Sequence, residues 1–126
     1  MTQINSFRDL TVWQASMDLA QVCFDIIEVM PHPYRFIFAN QLLPAGISIP
    51  SNIAEGSRRP TKAYLNHVSY SLGSHGEVDT LFELIHRKKL APEPVLSNGA
   101  VLIEPIGKML HGLSESLEAR LNAQNV

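Results

Sequence analysis

The sequence predicts an all-α protein, an antiparallel up-down-up-down four-helix bundle. Three observations predict it. Apolar residues recur at steps of three and four along nearly the whole chain, the period of one helix face. Prolines punctuate that pattern at Pro31, Pro60 and Pro92, leaving four helical segments with short connections. No stretch alternates apolar and polar residues in the manner of a strand. At 126 residues and 14.0 kDa the chain has the length of a single domain, here 1–126.

In the first segment Leu10, Trp13, Met17, Ala20, Phe24, Ile27 and Met30 fall on one face, and Asp18, Gln21, Asp25 and Glu28 lie off it. Thr11 with Gln14 matches a capping box, in which two side chains satisfy amides at the helix start. Pro31 and Pro33 end the helix, because proline disfavours the helical conformation of the residue before it.

The second segment, from Pro33 to about Arg59, is apolar almost all round: Phe36, Ile37, Phe38, Leu42, Leu43, Ile47, Ile49 and Ile53. Such a helix must be surrounded by protein. A small domain has too few layers to do this, so a subunit interface is expected to supply the cover. Pro44 and Pro50 each remove an intrahelical hydrogen bond, and Gly46 relieves part of the clash with Pro50. A kinked helix is expected, with a break near Pro44 as the alternative.

Thr61 is placed to cap the third helix, which carries Leu65, Val68, Leu72, Leu81, Leu84 and Ile85. Gly73 and Gly76 lie in its middle, where each costs about 1 kcal/mol against alanine, and are expected to mark close helix–helix approach. The fourth helix shows Ile103, Ile106, Leu110, Leu113, Leu117 and Leu121. It begins near Leu96 and kinks at Pro105, or begins afresh at Pro105.

Composition narrows the function. Net charge is −2 and pI ≈ 6.2, which argues against a strongly basic nucleic-acid binder while leaving local patches open. Only 17% of residues are charged, against a typical ~25%, so part of the surface is expected to be hidden between copies of the chain. The single Cys23 forms no intrachain disulfide, and a reducing, cytoplasmic compartment suits it. The opening residues lack the apolar core of a secretory leader. Asn40, Gln41, Pro44 and Ser48 interrupt the longest apolar stretches, so no membrane span is expected.

The stretch Ser48 to Arg59, SIPSNIAEGSRR, resembles the signature of the four-helix bundle proteins encoded in intervening sequences of large-subunit ribosomal RNA genes. Phe7, Asp9, Leu10, Val12, Trp13 and Ala15 resemble that family's opening. Gln41 with Ala45, then Gly73, Ser74, Glu77 and Thr80, then Lys108, Met109, Leu110, Gly112 and Leu113 resemble its later motifs. The resemblance implies a ring-shaped homopentamer without enzymatic activity. Relatives that are accessory proteins of diversity-generating retroelements bind nucleic acid and a reverse transcriptase. The sequence departs from the family at Leu43 and Pro44, where two basic residues are usual.

Several constellations are candidates for function. Gln41, Ala45, Ser48, Asn52, Glu55 and Arg59 share one face of the second helix, and Ser74 and Glu77 are one turn apart on the third. Gln41, Ser48, Asn52, Glu55, Ser74 and Glu77 are expected to form a buried hydrogen-bond network that fixes helix register. The competing reading is a site with Glu55 and Glu77 as paired carboxylates. Glu83 and His86 form one Glu-x-x-His, the spacing of di-iron bundles, with His75 and Asp79 on the same helix. Those bundles need two copies and two further glutamates, so no metal is assigned. Arg58, Arg59 and Lys62 surround the second turn, while Arg87, Lys88 and Lys89 close the third helix, ~40 Å away. Repeated round a ring, each cluster can hold phosphates, so RNA or DNA, or a protein that processes nucleic acid, is the expected partner beside further copies of the chain. The second cluster also suits a helix C-terminus, where cations oppose the helix dipole. No motif requires a cofactor, a small-molecule substrate or a catalytic nucleophile. The alternatives are a protein-interaction scaffold with no nucleic-acid role and, third, a metal enzyme on Glu83 and His86.

Overall fold

The computed structural model describes residues 6–125; residues 1–5, part of the stretch read for a leader, lie outside it. A short 3-10 turn, Phe7–Asp9, precedes four helices: α1 (Thr11–Val29), α2 (His32–Ser57), α3 (Thr61–Arg87) and α4 (Glu93–Gln124). No strand occurs among the described residues, and no helix there is long and apolar enough to cross a membrane.

Proline sets three of the four helix starts. Pro31, Pro60 and Pro92 are the residues before α2, α3 and α4, each with φ between −55° and −59° and extended ψ. None of the three starts has a side-chain cap bond. Thr61 is therefore the first helical residue of α3, inside the helix rather than capping it. The expected capping box of α1 is also absent. Leu10 precedes that helix, and Gln14 donates through Nε2 to the Arg8 carbonyl at 2.9 Å.

The helices run on through their internal prolines. α2 is unbroken across Pro44 and Pro50, and α4 runs as one helix from Glu93 through Pro105. Pro44 and Pro105 lie on exposed turns, where water can reach the carbonyls that lose their partners.

Cross-helix contacts give the packing order. On α2 and α3, Ser48 meets Ser74, Ile49 meets Ser71 and Asn52 meets His67, so the two helices run in opposite senses. On α3 and α4, His75 meets Ile103 and His86 meets Glu93, again in opposite senses. α1 packs on α2 and α4 and closes the ring of four helices. Leu19, Ile26, Leu42, Ile49, Ile53, Ile85, Ile106 and Leu110 are fully buried in the shared core.

The structure turns α1 away from the expected face. Its buried residues are Val12, Ser16, Leu19, Ala20, Cys23, Ile26 and Met30. Of the expected stripe only Ala20 and Met30 are buried, while Met17 and Phe24 are 37% and 45% exposed. The helix is apolar over more than half its circumference, and two arcs obey the same period. The arc with Leu19 and Ile26 faces the core, and Ser16 is tolerated there because its Oγ donates to the Val12 carbonyl.

Within one chain, the glycines of α3 mark no close approach. A Cβ on Gly73 or Gly76 would meet nothing within 4 Å. The close approaches fall at glycines of other helices. A Cβ on Gly99 would stand 2.6 Å from the Phe82 ring, and one on Gly107 2.8 Å from the His75 ring. Gly56 is confined in the same way by Tyr64 and His67.

Candidate nucleic-acid interface

The α2–α3 turn is built by backbone hydrogen bonds that leave its side chains outside. The Arg58 and Arg59 amides donate to the carbonyls of Glu55 and Gly56 at 3.3 and 2.9 Å. Gly56 lets α3 press against the end of α2. Arg58, Arg59 and Lys62 are thereby exposed together, and none of them forms an ion pair among the described residues.

Folding adds groups that are distant in sequence. The Phe7 ring lies under Arg8 at 4.8 Å and under Arg58 at 5.9 Å, and meets Trp13 edge-on at 5.3 Å. Arg120, near the end of α4, lines a recess of ≈ 530 Å³ with Phe7, Arg58 and Tyr64. Burial raises the Tyr64 phenol above its usual pKa, and the Arg120 charge partly opposes that rise. This end of the bundle thus gathers Arg8, Arg58 and Arg120 about two aromatic rings, with Arg59 and Lys62 exposed on the adjoining turn. Sequence reading missed Arg8, Arg120, Phe7 and Tyr64 because no local motif joins positions so far apart. The Phe7-Arg8 pair was the one available signal.

Arg87, Lys88 and Lys89 are exposed at the other end of α3. Arg87 makes a loose 3.7 Å ion pair with Glu83, of the exposed i,i+4 kind that contributes little. The backbone here ends the helix. Lys89 adopts φ 55°, its amide donates to the His86 carbonyl, and the Leu90 amide donates to the Ile85 carbonyl. These two bonds form a Schellman motif, and Leu90 is buried.

The polar network is smaller than expected. Ser48 Oγ accepts from Ser74 Oγ and from Asn52 Nδ2, both at 2.9 Å. Asn52 Nδ2 also donates to the Ser48 carbonyl, which fixes the amide and leaves Oδ1 to accept from His67 Nδ1 at 2.9 Å. His67 is the member that sequence reading missed. Gln41, Glu55 and Glu77 are exposed and take no part. Their α2 and α3 positions lie on the outer edge of the polar stripe, where carboxylates stay hydrated. The structure therefore does not bring Glu55 and Glu77 together in a buried pair.

Glu83 and His86 are exposed and, with His75 and Asp79, line an open cleft of ≈ 710 Å³ between α3 and α4. His86 Nδ1 is bonded to Glu93 Oε1 at 2.9 Å, and His75 Nε2 donates to the Ile103 carbonyl at 2.6 Å. Among the described residues no three His, Cys, Asp or Glu side chains are grouped to hold a metal ion. Cys23 is buried, and desolvation pushes its thiol up to about 12, far from the range of a reactive thiolate.

Four packed helices with basic clusters at both ends of α3 define a helical-bundle protein. The model of the 23S rRNA-intervening sequence protein family matches residues 8–112, and the chain belongs to that family. No match was found among curated proteins.

Proposed function

We propose that the chain is a non-enzymatic, homo-oligomeric module that contacts RNA or DNA, or a protein that handles nucleic acid, in the cytoplasm. The observation that carries the reading is the gathering of Arg8, Arg58 and Arg120 about Phe7 and Tyr64, beside the exposed Arg59 and Lys62 of the same turn, in a chain of net charge −2. Cations concentrated at one end attract phosphates by releasing counterions. The family's description, which refers to 23S rRNA, supports the same reading. In a ring of five, as the resemblance implies, this end would be presented five times.

The test is a titration of the purified protein against structured RNA and duplex DNA over a salt series. Binding should weaken steeply as salt rises. Changing Arg58, Arg59 and Lys62 together to alanine should weaken binding and flatten the salt dependence by roughly one unit of slope per lost phosphate contact. No binding at low salt would remove nucleic acid as a direct ligand.

A second reading, a homo-oligomeric scaffold for protein partners alone, draws on the apolar groups left exposed on α1 and α2. It expects protein partners to co-purify and no salt-sensitive affinity for RNA.

A further inference from the structure

The recess beside the α2–α3 turn is a more closely defined site than the exposed cations around it. Its ≈ 530 Å³ are enclosed by four parts of the chain: Phe7 of the 3-10 turn, Arg58 where α2 ends, Tyr64 of α3 and Arg120 of α4. That volume lies in the ~300–1,000 Å³ range of small-ligand sites. The side of a duplex cannot enter it, whereas the end of a strand can.

The charges that line the recess are of one sign. Arg58 and Arg120 face it, no carboxylate does, and neither arginine forms an ion pair among the described residues. Cations that share a recess repel each other, and an anion between them removes that cost. Ser6 adds a donor. Its Oγ accepts from the Arg8 amide at 2.9 Å, which leaves its own O–H free.

Tyr64 shows that the recess is built rather than incidental. The residue is only 9% exposed, and its ring packs with Val68 and Leu117. A tyrosine set so deeply normally gives its hydroxyl a partner. Here the hydroxyl bonds to no described residue, and no fully buried polar atom among those residues is left unpaired. The hydroxyl is therefore open to the recess that Tyr64 lines. Burial raises its pKa, so it remains a proton donor, and the Arg120 charge acts on it.

Two guanidiniums and two free hydroxyl donors match a phosphate monoester. Such a group carries about −1.5 to −2 charge near neutral pH and three acceptor oxygens, whereas a backbone diester carries a single charge. We propose that the recess holds the terminal phosphate of an RNA or DNA strand, with Arg58 and Arg120 on its oxygens and the Tyr64 hydroxyl donating to it. The inference rests on the nucleic-acid reading above and adds to it the end of the strand as the group recognised. Arg59 and Lys62, exposed on the adjoining turn, meet the strand where it leaves the recess.

Fluorescence anisotropy of the full chain with short single strands of one sequence tests the site. The strands carry a phosphate or a hydroxyl at one end and the label at the other, and a second set reverses the ends. A phosphorylated end should bind about tenfold more tightly, the worth of one charge-assisted hydrogen bond. Tyr64→Phe keeps the ring and removes only the hydroxyl, and Arg120→Met removes an exposed charge, so both should retain the helical circular dichroism of the wild type. Each should abolish the preference for the phosphorylated end. Equal binding of both ends, or a preference that survives both variants, overturns the end site while leaving salt-dependent nucleic-acid binding in place. Inorganic phosphate or a nucleoside monophosphate that competes as well as the phosphorylated strand overturns the strand as the ligand. No binding of either strand at low salt overturns both this site and the nucleic-acid reading.

Discussion

His67 Nδ1 donates to Asn52 Oδ1 at 2.9 Å across the α2–α3 interface, and the Asn52 amide is in turn locked by the Ser48 carbonyl. One asparagine therefore ties two helices through three polar groups. Asn52→Ala removes the acceptor of His67 and the donor to Ser48. The expected loss is about 1–3 kcal/mol, the range for stranding partly buried polar groups. Glu55→Gln and Glu77→Gln, both on exposed carboxylates, should each change stability by less than about 0.5 kcal/mol. Denaturant titrations of the three variants check this. A double-mutant cycle of Asn52→Ala and His67→Ala should show a coupling of about 0.5–1.5 kcal/mol, and zero coupling would mean that the bond contributes nothing.

Cys23 gives the fold an alkaline limit. Its thiol is pushed from 9.0 to about 12 by burial, with its own backbone hydrogen bond opposing the shift. The folded value is the raised one. The stabilisation is therefore complete below pH 9 and is lost as pH rises toward 12, because the unfolded thiol ionises first. One such group contributes a fall of at most about 1.4 kcal/mol per pH unit in that window. Tyr64, also raised by burial, acts in the same direction. Urea unfolding at pH 8 and pH 10 should show the fall, and Cys23→Ala should make it shallower. At neutral pH a thiol reagent should modify Cys23 only as fast as the chain unfolds.

The periodicity of the sequence carried the fold class because every helix keeps a three-four rhythm and proline marks three of the starts. It could not choose between the two apolar arcs of α1, since Trp13-Met17-Phe24 and Leu19-Cys23-Ile26 obey the same period. That choice depends on which arc α2 and α4 meet. The basic turn was legible because Arg58, Arg59 and Lys62 are neighbours in sequence. Arg8, Arg120 and the Phe7 ring join them only through the closure of α1 and α4 around the bundle. The polar stripe on α2 placed Ser48 and Asn52 correctly, and Ser74 with them. It also drew in Glu55 and Gln41, because spacing assigns a face but not the depth at which its edge leaves the core.

Glycines with different surroundings should respond in opposite directions to the same substitution. Gly99 packs where α4 crosses α3, and its Cβ would lie 2.6 Å from the Phe82 ring and 2.9 Å from Val22. Gly99→Ala must displace an aromatic ring in the core, at about 1–3 kcal/mol. Gly112 lies on the same helix with nothing within 4 Å. Gly112→Ala meets no neighbour and should stabilise the chain by up to about 1 kcal/mol through helix propensity. Thermal melts of the pair, followed by circular dichroism, separate the two effects. A fall in both would show that the outer face of α4 is more crowded than the contacts of one chain imply.

Lys89 allows the structural and electrostatic roles of the second basic cluster to be separated. At φ 55° it occupies the left-handed region, which costs an ordinary residue roughly 1–2 kcal/mol and glycine almost nothing. The position is fixed by the amide bonds of Lys89 and Leu90 back to His86 and Ile85, and by the burial of Leu90. Lys89→Gly keeps those bonds and removes the strain. It should raise stability by about 1 kcal/mol, net of the extra freedom that glycine gives the unfolded chain. Lys89→Ala keeps the strain and loses only the charge, so its stability should stay close to that of the wild type. Both variants remove the same cation. If this end of the bundle holds phosphate, both should lower the salt slope of nucleic-acid binding equally, by roughly one unit. Equal stability in the glycine and alanine variants would show that the helix end is not strained at Lys89. An unchanged salt slope in both would confine phosphate contact to the other end, around Arg58, Arg59 and Lys62.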